Sequence, residues 1–252
     1  MGSLGNGGDL LSRFVVEAMT GRSTIPARGD DPHKLCAIGS IIFEQLPRSG
    51  GHWWGSGLRN EQSLCQAPGN VFHAVRGPLT RAQLLRHGYE CPAIYGDPAL
   101  LLPRLYPCRP TRRFPLGVVC HFSHRHMLAL AEGVLDINIM RQDWELQALI
   151  EEICSCEFIL ASSLHGIIIA HAYGIPAQWL VVEGYHAEPA FKYHDYFSAV
   201  GMPPQVPLLC DSTCEISLHT VRRCGRCVDL KIDLDALADA FPYEELAVSR
   251  PT

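Results

Sequence analysis

Apolar residues set the rhythm of this chain, and they change period repeatedly. In "LLSRFVVEAMT" (10–20), Leu11, Phe14, Val15 and Ala18 recur at helical spacing, and Gly21 follows as a stop. "KLCAIGSII" (34–42) is a short apolar run that predicts a buried strand. "HWWGSGL" (52–58) predicts a strand entering a glycine turn. "VFHAVRGPLTRAQLLRHG" (71–88) predicts a strand to about Val75 and then a helix, with Pro78 in its first turn and Gly88 ending it. "PAIYGDPALLLP" (92–103) reads as a short strand, a turn and a short helix. The pattern then restarts. "PLGVVCHF" (115–122) is a strand, "DWELQALIEEIC" (143–154) an amphipathic helix, "EFILASS" (157–163) a strand, "LHGIIIAHAYG" (164–174) a helix and "AQWLVVE" (177–183) a strand.

Strands alternating with helices imply parallel sheets joined by right-handed crossovers. The fold class expected is therefore α/β, with two Rossmann-like domains whose sheets face a cleft. "RLYPCRPTRRFP" (104–115), with three prolines and four arginines, fits a linker between the two runs. The domains expected are 1–104 and 105–252, the second carrying a cysteine-containing tail segment at 205–230. In open sheets of this kind ligands bind beyond the carboxyl ends of the strands.

One junction concentrates polar chemistry inside apolar sequence. In "ILASSLHGIIIAHAYGIPA" (159–177), Ser162, Ser163 and His165 fall where a strand ends and a helix begins. Such a junction offers backbone N–H groups and the positive end of the helix dipole, an anion site. Equally, the serines cap the helix and the histidine packs; a serine cap contributes about 1 kcal/mol. Gly166 leaves room for another group to approach.

Composition narrows the classes. The chain has 252 residues and a net charge of −5, which speaks against a nucleic-acid partner. Only three of its 21 basic residues are lysines (Lys34, Lys192 and Lys231), and arginine suits two-pronged capture of carboxylate and phosphate. No apolar run is long enough to span a bilayer, and the N-terminus lacks the basic-then-apolar order of a signal peptide. A cytoplasmic location is expected, with the eleven cysteines reduced. There is no G-x-G-x-x-G, no P-loop lysine motif and no G-x-S-x-G elbow. "CDSTC" (210–214) and "CGRC" (224–227) have zinc-like spacing, and Cys210, Cys214, Cys224 and Cys227 are either metal ligands or incidental thiols. A histidine-rich loop, His121 to His126, has no acidic ligand close by, so no metal is assigned. Gly55-Ser56-Gly57 cradles a ligand or simply turns. Arg76 closes a strand, Arg81 lies in the next helix, Asp97 sits at a turn suited to an Asx cap, and Glu183 ends a strand. "FKYHDYF" (191–197) adds Lys192 and Asp195.

Taken in order, "GDLLSRFVVEAMTGR", "AIGSII", "WWGSGL", "VRGPLTRAQLL", "YGDPALLLP", "ASSLHGIIIAHAYGIPA" and "FKYHDYF" resemble the polysaccharide pyruvyl transferase family, in particular its exopolysaccharide succinoglycan-type branch. The likeness covers roughly residues 6–200, with a weaker echo in "DLDALADAFP" (233–242). It implies a fold similar to GT-B glycosyltransferases and a bacterial setting. It also implies phosphoenolpyruvate as co-substrate with no further cofactor, and a cyclic pyruvate ketal as product. The acceptor implied is a saccharide, lipid-linked, met through peripheral association with a membrane assembly machinery. His165 matches the family's histidine in a Leu-His pair and takes the acid/base role. His121, at a strand end, is the second proton-transfer candidate. Many members carry arginine where this chain has Ser163, so the phosphate clamp would fall to Arg76, Arg81 or Arg125 alongside Ser162 and Ser163. Asp9, Ser56 and Gly57 would line the acceptor side, with Asp97, Glu183 and Lys192 in support. Two other readings stay open: a nucleotide-sugar glycosyltransferase on the same architecture, and an inactive relative serving as an assembly partner.

Overall fold

The computed structural model describes residues 5–28, 31–46, 50–61, 64, 66–121, 125–142, 145–183, 189–211, 215–221 and 228–248. The fold is mixed α/β with parallel sheets. Two compact units emerge. A five-stranded unit comprises Met1–Leu10, Leu102–Glu188 and Gln205–Asp229, and a three-stranded unit comprises Leu11–Leu101, Pro189–Pro204 and Leu230–Thr252. The sequence pattern placed all of 105–252 in one domain; two of its segments instead return to the earlier unit. The reason is long-range polar pairing. Asp195 bonds Arg76 and Thr80, and the Leu237 carbonyl accepts from the Trp54 indole at 2.8 Å.

In the five-stranded unit the strands lie in the order Leu208–Cys210, Ala177–Val182, Ile159–Ala161, Leu116–Cys120 and Val134–Asn138, all parallel. Leu116–Cys120 is buried along its whole length, as a strand covered on both faces requires. Helix Leu146–Cys154 buries Leu146, Leu149, Ile150 and Ile153 along one stripe, which the spacing of its apolar residues dictates. Helix Leu164–Ala172 is apolar nearly all round and is correspondingly buried. It stops at Tyr173, and Gly174 supplies the positive φ of +70° that ends it. Val134–Asn138 was not foreseen. It is an edge strand with only Ile137 fully buried, so its hydrophobic signature is weak. Segment 104–115 is also more than a linker: the Thr111 N–H bonds the Cys154 carbonyl, and Phe114 bridges Cys156 beside the sheet.

The three-stranded unit orders Leu35–Cys36, Gly51–Trp54 and Asn70–Ala74 in parallel, and Val75 bridges Tyr95 to extend the sheet. Only two residues of the 34–42 run are strand. Its remaining apolar side chains, Ile38 and Ile42 among them, fill the core from a turn and a short helix, Ile42–Gln45. Helix Gly7–Thr20 starts three residues before the predicted point and buries Leu11 and Val15. Helix Pro78–Arg86 packs on Ala190–Ala199, a helix absent from the sequence expectation, and Leu234–Asp239 is capped by Asp233. Among the described residues no helix is long and apolar enough to cross a membrane.

Candidate functional site at the strand-order reversal

From Leu116–Cys120 the chain moves to its neighbour Val134–Asn138 on one side. It then crosses to Ile159–Ala161 on the other and continues outward from there. The order reverses between Leu116–Cys120 and Ile159–Ala161, and beyond the carboxyl ends of two such strands an open sheet forms its ligand crevice. His121 follows the first strand, and Ser162 and Ser163 follow the second. The His121 N–H donates to Ser162 Oγ at 2.9 Å, tying the two strand ends together. Ser162 is thus a brace between strands rather than a helix cap.

Ser163 holds the N-cap position of helix Leu164–Ala172 in extended conformation (φ −103°, ψ 129°), 5% exposed, and its side chain makes no capping bond. The N-cap side chain therefore supplies no acceptor to the first-turn amides of this nine-residue helix, which stand at the positive end of its dipole. His165, half-buried, stands in that turn. A β-carbon on Gly166 would lie 2.8 Å from Val119 Cγ1 and 3.0 Å from Ala161 Cβ. The close approach anticipated at Gly166 is to its own sheet, which seats the helix start on the strand ends. In the last turn of the helix, His171 is 2% exposed. Burial pushes its imidazole down to about 4, against a backbone bond at Ala177, so it is a neutral core group. His165 is the more exposed of the two histidines of this helix.

In the three-stranded unit the predicted polar residues gather at the carboxyl end of its sheet, each engaged within the unit. Ser56 Oγ donates toward the Cys36 and Ala37 carbonyls. Arg76, 1% exposed, donates from Nε to Asp195 Oδ2 at 3.1 Å, from one terminal nitrogen to Ser40 Oγ and from the other to the Leu58 carbonyl. Asp195 is fully buried and also accepts from the Thr80 N–H at 2.9 Å and Thr80 Oγ1 at 2.7 Å. Gly57 is needed here because a β-carbon would sit 2.4 Å from the Arg76 guanidinium carbon. Arg76 therefore clamps helix Ala190–Ala199 onto the sheet end. Nothing local tells a carboxylate in "FKYHDYF" that its partner lies 119 residues away, so the sequence assigns Asp195 no role.

The other candidates are placed as follows. Arg81 Nε donates to the Cys91 carbonyl at 2.9 Å. Asp97 Oδ1 accepts from the Ala99 N–H, the Asx arrangement its turn suggested. Lys192 Nζ lies 5.3 Å from the Tyr193 ring centre, and Glu183 is exposed. The side chains of Asp9 and Arg125 lie outside the described residues, as do His124, Gly184, Cys214, Cys224 and Cys227. Among the described residues no group of three or more His, Cys, Asp or Glu is arranged to hold a metal. His52 and His73, which no sequence motif marks, meet ring to ring with Nδ1 and Nε2 3.0 Å apart. Burial lowers both imidazoles, and Glu245 opposes that shift.

Against known proteins, the sequence profile described as polysaccharide pyruvyl transferase matches residues 67–183, a span that includes the strand-order reversal and the Ser163–His165 turn. An uncharacterized protein of Acanthamoeba polyphaga mimivirus is 34% identical over 211 residues, covering 78% of this chain and 71% of that protein. The chain belongs to the polysaccharide pyruvyl transferase family. A second relative, the succinoglycan biosynthesis protein ExoV of Rhizobium meliloti (strain 1021), is 29% identical over 144 residues, 54% of this chain and 44% of ExoV. No solved structure matches the chain. For a member of this family, the notable local feature is Ser163 at the N-cap, where the resemblance led one to expect arginine.

Proposed function

We propose that this protein transfers pyruvate from phosphoenolpyruvate to two hydroxyls of one saccharide residue, forming a cyclic ketal in polysaccharide biosynthesis. The observation that supports this reading most is a coincidence of three features. The strand-order reversal, an N-cap whose side chain makes no capping bond, and a half-buried histidine in the first turn all fall at residues 162–165. In this reading the donor phosphate rests on the amides of the helix Leu164–Ala172 N-terminus. A proton is delivered to the methylene carbon, the adjacent carbon accepts the first sugar hydroxyl, phosphate departs and the second hydroxyl closes the ring. The diol gives up two protons; one ends on the new methyl group and the other on the departing phosphate. His165 handles the proton at the phosphate side, and His121, fixed through its backbone by Ser162, is the second carrier. Arg76 acts by positioning, since its donors serve Asp195, Ser40 and Leu58. Arg125 remains the arginine assigned to the donor carboxylate, and Asp9 is assigned to the acceptor side. The acceptor we infer is a lipid-linked saccharide precursor, reached from the cytoplasmic face by peripheral association.

The test begins with the donor alone. Phosphoenolpyruvate at about 100 times its dissociation constant stabilises a binding fold by about 2.7 kcal/mol. A rise in thermal midpoint is expected in wild type and a smaller one in His165→Ala. A rise with a nucleoside diphosphate and none with phosphoenolpyruvate would replace this reading with a nucleotide-sugar transferase.

A further inference from the structure

The connecting segment 104–115 carries a half-exposed thiol, Cys108, close enough to the buried thiol of Cys154, at the end of helix Leu146–Cys154, for the two to perturb one another. Both are reduced in this structure. The strap is held on either side of Cys108. Two residues before it, the Tyr106 hydroxyl donates to Glu151 Oε1 at 2.7 Å and the Tyr106 carbonyl accepts from the Tyr173 hydroxyl at 2.7 Å. Three residues after it, the Thr111 N–H donates to the Cys154 carbonyl itself at 2.9 Å. Hydrogen bonds on both sides of Cys108 thus hold the strap beside the end of the helix that carries Cys154 and keep the two thiols near one another. Nothing in the proposed transfer reaction uses either thiol.

We infer that Cys108 and Cys154 form a reversible disulfide that locks the 104–115 strap onto helix Leu146–Cys154, with a small-molecule disulfide as the oxidant. The accessible Cys108 thiolate attacks one sulfur of the oxidant, breaks its S–S bond and releases the first small thiolate. Cys154 then attacks the Cys108 sulfur of that mixed disulfide and releases the second. The two protein sulfurs are oxidised, the small disulfide is reduced to two thiols, and the protons of the two cysteines end on them. The order follows from exposure. Burial first, and the nearby Cys108 thiol second, push the Cys154 thiol well above the ordinary thiol range, so it does not initiate. The same property makes Cys154 a poor leaving group when a reductant attacks Cys108, so the bond persists once made.

The experiment incubates the full chain with oxidised glutathione at pH 8, digests it without reduction and maps the cysteines by mass spectrometry. The expected product is a cross-linked peptide pair joining Cys108 and Cys154, two hydrogens lighter than the separate peptides and split by dithiothreitol. It should be accompanied by a higher thermal midpoint. In Cys108→Ser, a substitution at a half-exposed position that leaves the core intact, both the cross-link and the rise should be lost. Recovery of Cys108 only as a glutathione adduct, its pairing with another cysteine, or an undiminished rise in Cys108→Ser would overturn the assignment.

Discussion

Replacing Asp195 tests whether the Arg76 clamp carries the three-stranded unit. In Asp195→Asn the shape is kept, but the charge opposite a guanidinium that is 1% exposed is lost. Breaking one side of a buried ion pair costs about 3–5 kcal/mol, because the surviving charge is left uncompensated in a poorly solvating interior. Thr80 adds to this. Its N–H lies in the first turn of helix Pro78–Arg86, whose N-cap is Gly77, so Asp195 Oδ1 is the acceptor that a capping side chain would otherwise provide. If the new amide turns its NH2 group toward Thr80, about 1–3 kcal/mol more is lost. The sum reaches much of the 5–15 kcal/mol that holds typical domains folded. The double variant Arg76→Met/Asp195→Asn removes both charges and fills part of the guanidinium space with an apolar side chain. It should therefore lose less than the two single variants added together, by about 2 kcal/mol or more. Because the chain has two units, amide exchange read peptide by peptide under increasing urea is the suitable assay, with residues 51–58 and 190–199 as reporters. An Asp195→Asn cost below about 1 kcal/mol, or strict additivity of the two singles, would refute the argument that Arg76 is a charge whose partner is obligatory.

Three further outcomes follow from the same reasoning. His171 titrates near 6.5 when unfolded and at about 4 when folded, so the unfolded chain binds the extra proton between those values. Its contribution to stability is intact above pH 6.5 and falls by about 3 kcal/mol as the pH drops toward 4; in His171→Leu that part of the pH dependence, followed by urea unfolding, should disappear. Gly57→Ala forces a carbon to 2.4 Å from the Arg76 guanidinium carbon and should cost about 2 kcal/mol or more by denaturant unfolding, with Ser56→Ala milder because only its bonds to the Cys36 and Ala37 carbonyls are lost. Ser162→Ala removes the acceptor of the His121 N–H and should cost about 1–2 kcal/mol; it should also speed amide exchange at His121, and an unchanged rate there would contradict the brace.

What the sequence determined by itself is the local grammar and the place where chemistry gathers. The run from Ile159 to Ala177 shows a strand, a polar break and a helix stopped by glycine, because period, cap and stop are all encoded within a few residues of one another. The family likeness was equally legible, since it rests on short motifs in order. Tertiary structure decided everything that depends on partners distant in the chain. Val134–Asn138 is a strand because Leu116–Cys120 offers it a hydrogen-bonding edge, which its mixed side chains do not announce. Strand order, and with it the reversal that puts His121 beside Ser162, is a property of the assembled sheet. Arg76 read as a ligand for an incoming anion because its own carboxylate is 119 residues further on. Short-range patterning is written in side-chain size and polarity at small spacing. A buried charge finds its counter-charge only when the chain has folded, and there the fold turned a strand-end arginine into the clamp for helix Ala190–Ala199.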